Sequence, residues 1–203
     1  MTHFVGQRVP FGRAPAYGYT IDDFAADVRA LLAGDGNNPQ TATRIKPLMR
    51  RLLLNPALLT PEQSAPATGR YAQHVLFADR DLDVALLALV WLPGQATPIH
   101  DHRGWCMVGV YRGVEREIRY VRVDPGRDPD RATLETVGET FAYPGDVALL
   151  LPDDGDIHHV EPAPGSELTI SLHLYGIDVT RTARKSSIRR VYDLATGTIQ
   201  TFD

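Results

Sequence analysis

The sequence holds a single cysteine, Cys106, so no disulfide can form within the chain and a reducing compartment is expected. It also lacks any run rich in lysine and arginine, and its formal net charge is −4. Nucleic acid and anionic membrane are thereby excluded as main partners, because both need a concentrated basic surface. No apolar stretch approaches the ~18 residues of a membrane span, and the segment MTHFVGQRVPFGR lacks the apolar core of a secretion signal. Internal repeats and low-complexity tracts are missing too. These absences predict a cytoplasmic protein, monomeric or homodimeric, whose partner is a small molecule.

Within 203 residues, 43% are hydrophobic and 23% charged, which suffices for one sizeable core with some appended helices. The segment TIDDFAADVRALLAG predicts a helix: Ile21, Phe24, Val28, Leu31 and Leu32 recur on one face, Thr20 with Asp23 resembles a capping box, and Gly34 is a stop signal. TATRIKPLMRRLLLNP gives a second helical pattern, interrupted early by Pro47 and closed before Pro56, and TPEQ at Thr60 begins a short third. After Arg70 the period changes. Apolar and β-branched runs such as DVALLALVWLPG, CMVGVYRGVEREIRYVRV and ELTISLHLYG alternate with Gly, Pro and Asp turns. Six or more strands without a long intervening helix predict an antiparallel sandwich or small barrel over 70–203, capped by a helical segment over 1–69.

Two histidines, His100 and His102, stand one residue apart in PGQATPIHDHRGWCMVGVYRG. On a strand, residues i and i+2 share a face, so their imidazoles converge as a metal requires. GDIHHVEP supplies a third candidate, His158 or His159, of which period-2 geometry lets only one face inward. Three such nitrogens would leave coordination positions open for a substrate.

These residues resemble the cupin superfamily. Its first motif runs glycine, five residues, H-x-H, three or four residues, glutamate, six residues, glycine; Gly94, His100, His102 and Gly113 fall on it, and YPGD (Tyr143–Asp146) with His158 is similar to the second motif. The resemblance implies an all-β core, a cupin double-stranded β-helix barrel with an N-terminal helical cap. Where the glutamate ligand would stand, the chain has Cys106. Three neutral histidines leave a divalent ion its full charge and favour an anionic ligand brought by the substrate.

That departure, together with Ser171, His173 and Tyr175 at alternating positions in SLHLYG, is similar to the cysteine dioxygenase family. The resemblance implies iron(II) held by His100, His102 and His158, with the interval from His158 to Ser171 selecting His158 over His159. It implies a Ser171–His173–Tyr175 relay ending beside the iron, and O2 addition to the sulfur of a small thiol carboxylic acid. A soft, anionic thiolate suits a tris-imidazole iron centre. Cysteine-selective members carry an arginine shortly after a tyrosine; RYAQHVLF offers Tyr71 and then Gln73, as in the 3-mercaptopropionate dioxygenases. Glutamine cannot give the bidentate contact of a guanidinium. Arg184, or Arg181 in its place, is then the expected carboxylate partner, and Arg70 a surface residue. Cys106 is as readily a packed thiol as the partner of Tyr175 in a thioether. Trp91 and Trp105 are expected in the barrel core or pocket wall, and Asp101 facing outward. A non-oxygenase metal cupin, such as an isomerase or decarboxylase, would normally keep the glutamate ligand, and a small-molecule sensor would need no relay.

Overall fold

The computed structural model describes residues 18–152, 155–182 and 186–202. Helix α1 (Ile21–Asp35) opens on Thr20, whose hydroxyl accepts from the Asp23 N–H at 3.1 Å while the Asp23 carboxylate accepts from the Thr20 N–H at 3.0 Å. The helix runs past the expected stop at Gly34 and is capped at Gly36. Helix α2 (Pro39–Leu53) starts from an Asn38 cap and continues through Pro47, contrary to the expected interruption. An internal proline costs a helix about 3 kcal/mol. Ile45, Met49 and Leu52 on its buried face are wholly covered and offset this, each worth about 1.5–3 kcal/mol. At TPEQ only a short 3-10 turn forms, Glu62–Ser64.

Eleven strands follow among the described residues: β1 (Ala72–Asp79), β2 (Val84–Trp91), β3 (Ile99–His102), β4 (Cys106–Arg112), β5 (Glu115–Arg122), β6 (Leu134–Ala142), β7 (Val147–Leu150), β8 (His158–Pro162), β9 (Thr169–Tyr175), β10 (Ile188–Tyr192) and β11 (Ile199–Thr201). They form two antiparallel sheets, β1-β2-β9-β4-β7 and β11-β10-β3-β8-β5-β6. From β2 to β10 the chain passes back and forth between the sheets, which wraps it into a double-stranded β-helix with an N-terminal helical cap. Among the described residues, no helix is long and apolar enough to cross a membrane.

β2, VALLALVW, is buried throughout. Leu87, Leu89 and Trp91 share the interior with Cys106, Val108 and Tyr175, whereas Val84, Leu86 and Ala88 pack against α1 and α2. A strand covered on both faces reads as a continuous apolar run, not an alternating one. Two glycines of the first motif have geometric work: Gly94, at φ 82°, turns the chain into the histidine strand. At Gly113, φ is 75° and a Cβ would sit 2.5 Å from the Leu168 carbonyl oxygen, so any larger residue would force β4 away from β9.

Candidate metal centre

β3 and β8 pair with His100 directly opposite His158, and strand alternation puts His102 on the same side as His100. Side-chain nitrogens of the three lie within 4.8 Å of one another, and all three residues are buried. His159, the next residue, points to the other face and approaches Glu161.

Each ring is oriented through its Nδ1. His100 Nδ1 donates to the Pro98 carbonyl at 2.9 Å, His102 Nδ1 to the Asp156 carboxylate at 3.1 Å, and His158 Nδ1 to the Glu117 carboxylate at 2.8 Å. These partners are all acceptors, so each Nδ1 carries a proton and each Nε2 is turned toward the others. Burial, reinforced by the neighbouring imidazoles, holds His100 well below its ordinary pKa. His158 is also lowered, again chiefly by burial, against the opposing pull of Glu117. The Nε2 atoms of His100 and His158 therefore face each other at 3.3 Å without a proton between them. Two lone pairs so placed repel each other unless a cation lies between. A nitrogen–metal distance of about 2.0–2.1 Å at near-tetrahedral angles gives a nitrogen–nitrogen separation close to that observed, so the residues fit a metal ion. The carboxylates of Asp156 and Glu117, absent from the sequence reading, orient the rings from behind, as outer partners of metal-bound histidines do. Only the cross-strand register brings them there, since Glu117 lies beside the Arg119–His158 pair of β5 and β8.

Opposite the histidines, β9 presents its alternating side chains to the same interior. Ser171 Oγ lies 2.9 Å from His173 Nε2, and Tyr175 Oη lies 3.4 Å from His173 Nδ1. Burial pushes the His173 pKa down to about 3 and that of Tyr175 well above its ordinary value, so both are neutral. A cavity of about 20 Å³ is bounded by the three histidines, His173, Tyr175 and Tyr71. Tyr71 stacks on Trp91, ring centroids 4.1 Å apart, and Trp91 Nε1 donates to Ser171 Oγ at 3.2 Å.

Cys106 and Tyr175 are direct cross-strand neighbours in the β4–β9 pairing, and burial raises the Cys106 thiol well above its usual pKa. Gln73 stands opposite Leu89, one of the residues lining the cavity, but its side-chain oxygen accepts from Arg70 at 3.1 Å. Arg181 is exposed on a 3-10 turn, and Arg184 lies outside the described residues.

Two expectations are corrected. Asp101 does not face solvent: it is 1% exposed and bound by Arg190 Nε at 2.7 Å and Tyr192 Oη at 3.1 Å. The Arg190 and Tyr192 side chains, on β10 beside β3 in the same sheet, cover Asp101 there, so strand alternation gives the side but not the solvation. Trp105 belongs to neither the barrel core nor the pocket wall. It packs with the helices in the layer outside the barrel, and its Nε1 donates to Asn37 Oδ1 at 2.7 Å.

Sequence reasoning also missed Glu115, a β5 carboxyl that is 5% exposed. Burial raises its pKa to about 7, against a hydrogen bond with Ser171 that lowers it. A charged strand reading EREIR gives no sign that its glutamates turn inward.

No family model matches this chain. Among solved structures, it is similar to a protein from Thermus thermophilus at 21% identity and a TM-score of 0.41, aligned over 58% of this chain and 93% of that one. An RmlC-like cupin with a double-stranded β-helix fold from Methanocaldococcus jannaschii aligns at 10% identity and a TM-score of 0.40, over 59% of this chain and 86% of that one. A hydroquinone 1,2-dioxygenase in complex with Cd2+ and 4-hydroxybenzonitrile aligns at 16% identity and a TM-score of 0.39, over 53% and 65%. These are partial likenesses in fold, and none bears on what this chain acts on.

Proposed function

We propose that the protein is a non-haem iron(II) thiol dioxygenase that adds both atoms of O2 to the sulfur of a small thiol carboxylic acid, 3-mercaptopropionate or L-cysteine, giving a sulfinic acid. The observation that carries this reading is the Ser171–His173–Tyr175 line opening on the same cavity as three imidazoles that have no carboxylate among them. Iron(II), when bound by His100, His102 and His158, supplies a site where thiolate and O2 meet. The protein's own part is orientation and proton handling. Tyr175 offers a neutral hydroxyl toward the cavity, His173 takes the opposite end of its hydrogen bond, and Ser171, braced by Trp91, fixes the imidazole. Tyr71 and Leu89 form an apolar wall that excludes water. A guanidinium at Arg184, or Arg181, completes the site by taking the substrate carboxylate, with Gln73 as a neutral neighbour. Such a protein is cytoplasmic and needs neither nucleic acid nor membrane.

Oxygen consumption by iron-loaded protein against a panel of thiols tests the activity: uptake with none of them removes the proposal. Within the panel, 3-mercaptopropionate is expected to show higher kcat/KM than L-cysteine, because residue 73 is a glutamine and supplies no fixed charge for an α-amino acid carboxylate. A clear preference for L-cysteine would overturn the role given to Gln73 and leave the activity standing.

Cys106 and Tyr175 are direct cross-strand partners, and the proposed activity includes a thioether formed between them during turnover. Forming a thioether removes the thiol hydrogen and one ring hydrogen, and O2 accepts the two electrons. Protein prepared without iron is therefore expected at full mass, and protein turned over with iron, thiol and O2 about two mass units lighter, with Cys106→Ala lacking the lighter species. An unchanged intact mass after many turnovers excludes the bond. Cys106→Ala should lower activity only modestly, since the relay uses the phenol hydroxyl and not the sulfur.

A further inference from the structure

A second cavity, of about 230 Å³, is walled by β4, β5, β6, β7 and β8, with α2 at one edge. Val108, His158 and Val160 line both it and the metal cavity. An apolar cavity of about 150 Å³ takes up benzene, so a small organic molecule has room here. Part of the wall is apolar: Val108 and Val110 of β4, Val147 and Leu150 of β7, and Val160 of β8. Against these stand Glu115 and Glu117 of β5, which strand alternation puts on one face. Asp146 adds a carboxylate at the exposed rim, where Arg50 of α2 is the one lining cation. Negative charge is in excess.

The two β5 carboxyls differ in what they already hold. Glu117 Oε1 accepts from His158 Nδ1 at 2.8 Å, and its Oε2 accepts from Thr140 Oγ1 at 3.2 Å and lies 3.3 Å from Arg119 Nε. Glu115 is 5% exposed, and its Oε2 is buried without a hydrogen-bond partner. Burying an acceptor and leaving it unmatched is costly, the more so if it is charged. A ligand that brings a donor and a positive charge removes that cost. A metal ion is the poorer candidate: among the described residues the group whose ligand atoms converge is the histidine trio, not these carboxyls. A hard ion also surrounds itself with oxygens, which valine and leucine do not supply.

We propose that this cavity is a binding site for a small organic ammonium ion, a primary amine on an apolar body of about four to six carbons, with its nitrogen at Glu115 and its body along the valines and Leu150. The fold has already taken the Glu115 carboxyl out of water, so on entry only the ligand's own hydration is lost, and the acceptor is held in place beforehand. Glu117 adds its negative charge without giving up His158. Phe141, 45% exposed, and Arg50 stand at the rim, outside the space the ammonium occupies.

The test uses the full chain without iron or thiol, so its outcome is independent of the proposed oxidation. The probe is n-butylammonium at about pH 8.5, where an alkylamine is still charged. In 13C methyl spectra, saturable shifts are expected at Val108, Val110, Val147, Leu150 and Val160, with Leu32 and Leu52 of the helical layer unmoved. 1-Butanol, of the same length and uncharged, should bind weaker by a factor of about ten or more, the effect of lacking a charge-assisted contact. Glu115→Gln should weaken n-butylammonium by a similar factor and leave 1-butanol unchanged. No saturable shift, shifts confined to other methyls, equal affinity for the alcohol, or a Glu115→Gln protein that binds the ammonium as the wild type does would each overturn the proposal. The wild-type comparison of ammonium with alcohol decides it even if the variant fails to fold.

Discussion

Alanine at His100, His102 or His158 is expected to abolish iron(II) retention and turnover, whereas His159→Ala keeps most of the iron. Among the described residues these three side chains supply the ligand atoms of the cluster, and where a glutamate ligand would stand the chain has Cys106, whose thiol is buried and neutral. Removing one imidazole leaves two neutral ligands for a dication, too few to compete with water and buffer. His159 faces Glu161 on the other side of β8 and gives the metal nothing. Metal content after dialysis, measured on the four variants side by side, reads the result. Iron lost from His159→Ala and kept in His158→Ala would exchange their roles. Glu117→Gln and Asp156→Asn belong to the same series: they loosen ring orientation without removing a ligand, and a loss of about 10–100-fold in affinity is expected of such outer partners.

The second large effect is on stability. Asp101 is 1% exposed and its partner Arg190 18%; Arg190 also donates its backbone N–H to Asp101 at 2.9 Å. Arg190→Met leaves a buried carboxylate with only the Tyr192 hydroxyl and that backbone group. Breaking a buried pair from one side costs about 3–5 kcal/mol, which for a domain of this size is a fall in Tm of roughly 6–20 °C. Replacing Asp101 by asparagine at the same time should recover a large part of the loss, because the double change removes the unpaired charge. Thermal unfolding followed by circular dichroism gives both numbers. A fall under about 1 kcal/mol for the single variant would mean water reaches Asp101 and the pair behaves as a surface one.

The histidine pair and the relay are legible in the sequence because strand alternation is strict: knowing that His100 and His102 share a face, or that Ser171, His173 and Tyr175 do, needs no tertiary information. The barrel with its helical cap is legible from the change of period after Arg70. Charged residues whose covering lies elsewhere in the chain are not legible. Asp101 reads as solvent-facing because nothing nearby in sequence announces Arg190 and Tyr192 as its lid. Glu115 and Glu117 sit in a run that reads as a solvated strand, and only the register against β6 and β8 turns them inward. The helix stop moves from Gly34 to Gly36 for a smaller reason, since glycine inside a helix costs only about 1 kcal/mol and packing of the apolar face outweighs it.

The pairing of distant strands also governs how long the chain takes to become what it is. Contacts at the centre join residues far apart along the backbone: His100 and His158 are separated by 58 positions, Trp91 and Ser171 by 80, Asp101 and Arg190 by 89. Proteins dominated by such non-local pairs fold in milliseconds to seconds, not microseconds, since loop closure must be completed before the contacts return anything. During synthesis α1 and α2 can form as soon as they emerge, but β2 must wait for β9, and β3 for both β8 and β10. The three imidazoles therefore converge only when the barrel is nearly closed. A ribosome-bound chain halted before β8 is left with two histidines on an unpaired strand, so metal acquisition belongs to the end of folding and cannot nucleate it.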